Sequence, residues 1–176
     1  VRRLAQRVRQ GETTLRLAPF SATPPRDAAM AENTLWVLGR LAKGDRAVYW
    51  AHNAHVQRTP VTGGPLPPGR FPGAGMRFSA ALGKQYYAIA TTYGGPAMDD
   101  QSAATEGSVD AALEKVAKGS FLLSLQTGRR SPAVAAWLAQ ERLMRFQTGY
   151  LNVPLGGALD AVAYFDHATR ATRVSP

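Results

Sequence analysis

The sequence predicts an α/β domain, a mostly parallel sheet flanked by helices. Three observations predict it. Helix-type and strand-type segments alternate along the chain. The strand-type segments are short and almost wholly apolar, as strands covered on both faces are. No internal repeat and no heptad pattern offers a rival architecture.

The elements follow in order. Val1, Leu4 and Val8 share one helical face with Arg2, Arg3, Arg7 and Arg9 around it, and Gly11 is the expected stop. Residues 1–18 are therefore set apart as a basic helical remnant, and residues 19–176 as the α/β domain. Thr23-Pro24-Pro25 opens a second helix through Met30, Trp36 and Leu38, closed by Gly44. Arg46 to Ala51 is the first strand. Thr62 to Gly75 carries five Gly and four Pro, a density that only a loop tolerates. Met76 to Leu82 is a short helix and Tyr86 to Tyr93 a second strand. Ser108 caps a helix at Val109, and Phe121 to Leu125 is a third strand. Pro132 starts a helix through Trp137 and Leu138, and Asp160 to Phe165 is the fourth strand.

Composition narrows the function classes. At 176 residues and 45% hydrophobic the chain can bury a core without staples. Cysteine is absent, which excludes disulfides, Cys-ligated zinc and a thiol nucleophile. No run approaches the roughly 18 apolar residues of a membrane span, and no apolar signal segment opens the chain. A cytoplasmic protein without membrane contact is expected. The net charge is +9, yet only four of the 21 basic residues are Lys, and Ala, Gly, Pro and Arg are all abundant. That signature fits a GC-rich coding bias, and no nucleic-acid partner is expected.

The candidate chemistry gathers after the first strand, in His52-Asn53-Ala54-His55. Ligand sites in open α/β sheets lie at the carboxyl ends of strands, and imidazole moves protons near neutral pH. His52 and His55 are the catalytic candidates, with Asn53 between them a substrate-binding candidate that would also fix the loop. A shared metal would need a third ligand. Only Asp27 or Glu32 could supply it through the fold, so no metal and no cofactor is expected. Arg26, with Glu32 on the same helix, is a candidate for binding a substrate carboxylate or oxyanion. Thr92, before Gly94-Gly95, ends the second strand as the His cluster ends the first, and is a further substrate-binding candidate. No Gly-x-Ser-x-Gly elbow, phosphate loop or dinucleotide fingerprint is present.

Arg26-Asp27-Ala28-Ala29-Met30-Ala31-Glu32-Asn33, then Val48-Tyr49-Trp50-Ala51-His52-Asn53-Ala54-His55, then Tyr86 to Gly95, Gly107 to Leu113 and Asp160 to Asp166 resemble, in that order, the erythromycin esterase family. The resemblance spans roughly residues 20–168. It implies an α/β fold and hydrolysis of a carboxylic ester, in the namesakes a macrolide lactone, by water activated on a His base rather than by a serine. It also implies a principal base in an N-terminal half, within a Gly-Glu-x-x-His-Gly element. Gly11-Glu12-Thr13-Thr14 is followed by Leu15 instead. The chain therefore resembles the C-terminal half, and its expected partners are a small ester substrate and the missing N-terminal half. Arg26 and Glu32 match the flanking helix, and the loop at residues 62–75 is expected to shape substrate choice. A non-catalytic module that binds a small molecule or an anion is the alternative.

Overall fold

The computed structural model describes residues 2–16, 23–63, 70–95, 104–116, 118–128, 131–146 and 149–168. The chain divides into two compact units, residues 1–88 and residues 89–176.

In the first unit α1 (Arg2–Leu15) runs straight through Gly11. It packs on α2 (Thr23–Leu38), whose prolines sit in the first turn, where helix N–H groups need no intrahelical acceptor. The α1–α2 contact is polar. Gln6 and Gln10 both donate to Glu32 Oε2, at 3.0 and 2.8 Å, and the guanidinium of Arg3 lies 5.1 Å from the Trp36 ring. The apolar stripe of α1 consequently faces outward, with Leu4 68% and Val8 63% exposed.

The opposite side of α2 builds the core. Ala31 packs with Ala74 and Phe78 of α4 (Ala74–Leu82), and Met30, Leu35, Tyr49, Leu82 and Tyr86 close around them. Phe78 meets Tyr49 edge-on at a centroid distance of 5.0 Å. One turn of helix, α3 (Asn53–Val56), lies against the start of α4. The approach is so close that a Cβ on Gly75 would collide with the backbone carbonyl oxygens of Val56 and Gln57. The loop beyond is closed by a bridge between Val61 and Phe71, and residues 64–69 of the Pro/Gly-rich stretch lie outside the described residues.

The expected strand at Arg46 to Ala51 does not form. A strand exists only with a ladder partner, and among the described residues of this unit none runs alongside. The segment stays extended, with Tyr49 packed inward while Val48 and Trp50 are 90% and 87% exposed.

The second unit holds the sheet. β5 (Ala161–Phe165) is central, parallel to β1 (Ile89–Tyr93) and antiparallel to β2 (Phe121–Ser124). The register sets Ile89 against Ala161 and Phe121 against Tyr164. The sheet is therefore mixed rather than mostly parallel. β2 and β5 are joined through a second, antiparallel pair, β3 (Glu141–Phe146) with β4 (Gly149–Pro154), and not through a simple crossover helix. That hairpin was not expected from the sequence. The other helices of the unit are α5 (Val109–Val116), α6 (Leu125–Gly128), α7 (Pro132–Ala139) and α8 (Leu155–Ala158). Ser108 caps α5 as expected, its Oγ accepting from Ala111 N at 3.1 Å.

A buried carboxylate ties this unit together. Asp110 on α5 is fully buried and accepts hydrogen bonds from Thr92 Oγ1 of β1 and, at 3.0 Å, from the backbone N–H of Arg145 of β3. Burial pushes its pKa up, and the two bonds oppose that rise.

Two substitutions test this packing. Gly75→Ala is expected to cost about 3 kcal/mol, because the added methyl meets backbone rather than a side chain that can move. Thr92→Val is expected to cost about 1–3 kcal/mol by withdrawing a donor from a buried carboxylate. Both read out as a lower urea midpoint in equilibrium unfolding of the whole chain.

Candidate active site

The first turn of α2 sends two consecutive residues to different environments. Arg26 is exposed, and Asp27 is fully buried, on the same side of the helix as buried Ala31 four residues on. The second contribution comes from the α3 turn. His52 sits in extended conformation as its N-cap, and His52 Nδ1 accepts from Ala54 N at 3.1 Å. The backbone N–H of His55 donates to His52 O at 2.8 Å. The two bonds fix where the His55 ring points.

It points at α2. His55 Nδ1 lies 2.8 Å from Asp27 Oδ1, and Arg26 Nη2 lies 3.0 Å from His55 Nε2. The proton positions follow from valence. A guanidinium can only donate, so Nε2 must present its lone pair. The ring proton then sits on Nδ1 and is donated to Asp27. In its neutral form His55 is thus the Nδ1–H tautomer, with Nε2 toward the exposed Arg26.

Asp27 has a second donor. The N–H of Ala74, at the start of α4, reaches Oδ1 at 2.8 Å, and the positive end of that helix favours the carboxylate. The other oxygen, Oδ2, is buried with no hydrogen-bond partner among the described residues, as is the Tyr49 hydroxyl. Burial raises the Tyr49 pKa, the Asp27 charge raises it further, and Arg26 opposes both, so the phenol keeps its proton. Burial, and then the neighbouring His55, lower the pKa of His52 below 6.5.

His52, Asn53, His55 and Arg26 thus come together in the first unit. Glu32, on α2, is held by Gln6 and Gln10 of α1 instead. Thr92 belongs to the second unit, where it serves Asp110. Asp27, considered from the sequence only as a metal ligand, is the orienting partner of His55, and Tyr49 was not expected at all. The signal for Asp27 was available, since a carboxylate inside the apolar stripe of a helix needs a buried partner. Among the described residues no group of three His, Asp or Glu side chains could hold a metal ion, and no helix is long and apolar enough to cross a membrane.

A buried carboxylate that orients an imidazole, with a guanidinium at the other ring nitrogen, brings together groups able to hold and move a proton. The erythromycin esterase family model matches residues 1–168, and the chain belongs to that family. Among solved structures the chain is similar to a succinoglycan biosynthesis protein (TM-score 0.73, 19% identity, 91% of this chain and 42% of that one). It is also similar to a protein from Bacillus cereus (TM-score 0.69, 21% identity, 91% and 43%). A third match is a mutant of the erythromycin esterase EreC in its open conformation (TM-score 0.58, 22% identity, 81% and 37%). The chain spans less than half the length of each. No curated protein matches it.

The lowered pKa of His52 fixes a pH dependence. Between its folded pKa and its ordinary value of 6.5 the unfolded chain binds the proton more tightly, so this contribution to stability is complete above 6.5 and is lost as pH falls through the folded value. Protonating Nδ1 would also break the bond from Ala54 N. His52→Asn keeps an acceptor at the cap and removes the titration. Urea unfolding across pH 5–7, on the order of the His range, is expected to show a smaller acid loss in His52→Asn than in the wild type.

Proposed function

We propose that the chain is part of a carboxylic ester hydrolase that uses water directly, with His55 as a general base beside the principal base that the family resemblance places in an N-terminal half. The observation that carries the proposal is the Asp27–His55 pair, with Nε2 on the far side of the ring facing Arg26. In the proposed reaction Nε2 takes a proton from water as the water oxygen bonds to the ester carbonyl carbon. Asp27 holds the tautomer and balances the imidazolium. The imidazolium then returns the proton to the leaving alkoxide as the C–O bond breaks, giving an acid and an alcohol. Arg26 supplies the positive charge facing the substrate oxygens. His52, whose pKa burial lowers, caps the turn that carries His55, so the base is assigned to His55 and the scaffold to His52, with Asn53 part of that turn.

Family membership supports ester bonds as the substrate class, and a macrolide lactone is the first ring ester to test. The solved relatives extend well beyond the matched region, so the proposal includes a complementary half of the fold that completes the site. A non-catalytic binding role is the second reading, and the Arg26 guanidinium resting on the base favours it.

The test is an ester panel that includes a macrolide, run on this chain and on a family-length protein containing it. His55→Ala and Asp27→Asn are each expected to lower kcat/KM on the order of 10²- to 10⁴-fold. Wild-type turnover in His55→Ala would overturn the proposal. Saturable macrolide binding without turnover in both proteins would favour the binding reading.

A further inference from the structure

The segment Arg46 to Ala51 is strand-like in sequence and has no sheet. Among the described residues no hydrogen bond reaches its backbone, and it belongs to no helix, turn or strand. Tyr49 turns inward onto Phe78, which leaves Val48 and Trp50 bare, 90% and 87% exposed. An edge strand that stays bare is normally guarded by charge, proline or a bulge. Ala47-Val48-Tyr49-Trp50-Ala51 carries no charge and no proline. A run that is apolar on both faces is instead the pattern of a strand inside a parallel sheet, with neighbours alongside and helices over it.

We propose that residues 46–51 are a docking edge for a β-strand of the complementary half of the fold, added parallel to the segment. Three facts favour this occupant over a second copy of the chain. The solved relatives share this fold and extend well beyond the matched region, so they hold further elements outside it. A two-fold pair of copies would set the segment against itself antiparallel, whereas its composition fits a parallel neighbour. The net charge of +9 opposes the approach of a like copy. A parallel neighbour needs a crossover connection, usually a helix. The inner face is already filled by Phe78, so that helix lies over Val48 and Trp50.

The docking edge runs directly into the candidate site. His52 follows Ala51, and the turn after it carries His55. Parallel strands end on the same side of a sheet, where ligand sites gather. The added strand therefore delivers the residues that follow it to the neighbourhood of Asp27 and His55. That consequence, like the occupant itself, rests on the chain being part of a longer hydrolase fold, whereas the unfilled strand position does not.

Amide hydrogen exchange tests the edge, on this chain at low and at high concentration and on a family-length protein containing it. The amides of residues 46–51 are expected to exchange freely in this chain at both concentrations. In the family-length protein those facing the added strand are expected to slow roughly 100-fold or more. Ala47→Pro and Val48→Pro remove donors on opposite edges of the segment. Both are expected to leave the urea midpoint of this chain unchanged, and at least one to lower that of the family-length protein. Iodide quenching of Trp50, read as the difference from Trp50→Phe, is expected to fall several-fold in the family-length protein, and unchanged quenching rejects the helix over that face. Equally fast exchange in both proteins, or both proline variants tolerated in both, overturns the docking edge. Slowing in this chain alone as its concentration rises assigns the edge to a second copy and overturns the complementary half as occupant. Slowed exchange in the family-length protein without turnover of any ester rejects the hydrolase and leaves the docking edge standing. Turnover without slowed exchange does the reverse.

Discussion

A carboxylate removed from water must find donors inside the protein or lose its charge. Asp27 finds two, and they come from different parts of the chain, the α3 imidazole and the first amide of α4. The pair therefore clamps three segments around one oxygen atom. The close packing of α4 on α3 delivers the Ala74 amide to that oxygen, and the α3 turn delivers His55. Loss of any one of these would leave the carboxylate with half its support. The same bond that secures the fold of the first unit also decides which imidazole nitrogen carries the proton, so stability and chemistry share a single constraint.

Asp110 is the counterpart in the second unit. It too is fully buried and accepts from two elements, β1 and β3. Its partners are a hydroxyl and a backbone amide rather than an imidazole. No proton-transfer group touches it among the described hydrogen bonds, and it acts as a joint between helix and strands. The contrast between the two aspartates lies in who donates to them. An imidazole donor turns a structural joint into a group able to pass a proton.

Local signals in the sequence placed most helices well. The Pro-Pro start of α2, the Ser108 cap and Pro132 each correspond to a helix start in the structure, because these signals act within one turn of backbone. The strands were less legible. β1 begins at Ile89 rather than Tyr86, and Arg46 to Ala51 reads as a strand yet has no neighbour, because pairing depends on what lies alongside and not on the segment itself. In the β3–β4 hairpin, charged Glu141, Arg142 and Arg145 interrupt the apolar pattern, and Arg145 is buried over the Tyr93 ring, a placement that no alternation rule anticipates. The site was half visible. The His52–His55 cluster stood out by composition, but its orienting carboxylate lay 28 residues upstream of His55, and only the folded chain brings the two within a hydrogen bond.

The inverted seating of α1 has a colloidal consequence. Its polar side is spent on Glu32 and Asn33, so Leu4, Val8 and Leu15 meet water on a helix that also carries Arg2, Arg7 and Arg9. A net charge of +9 opposes the approach of copies of the chain through those apolar side chains. Added salt shortens the reach of that repulsion to about 8 Å at physiological strength and about 3 Å at 1 M. The balance between like charge and bare apolar surface on α1 is therefore set by the ionic strength of the medium.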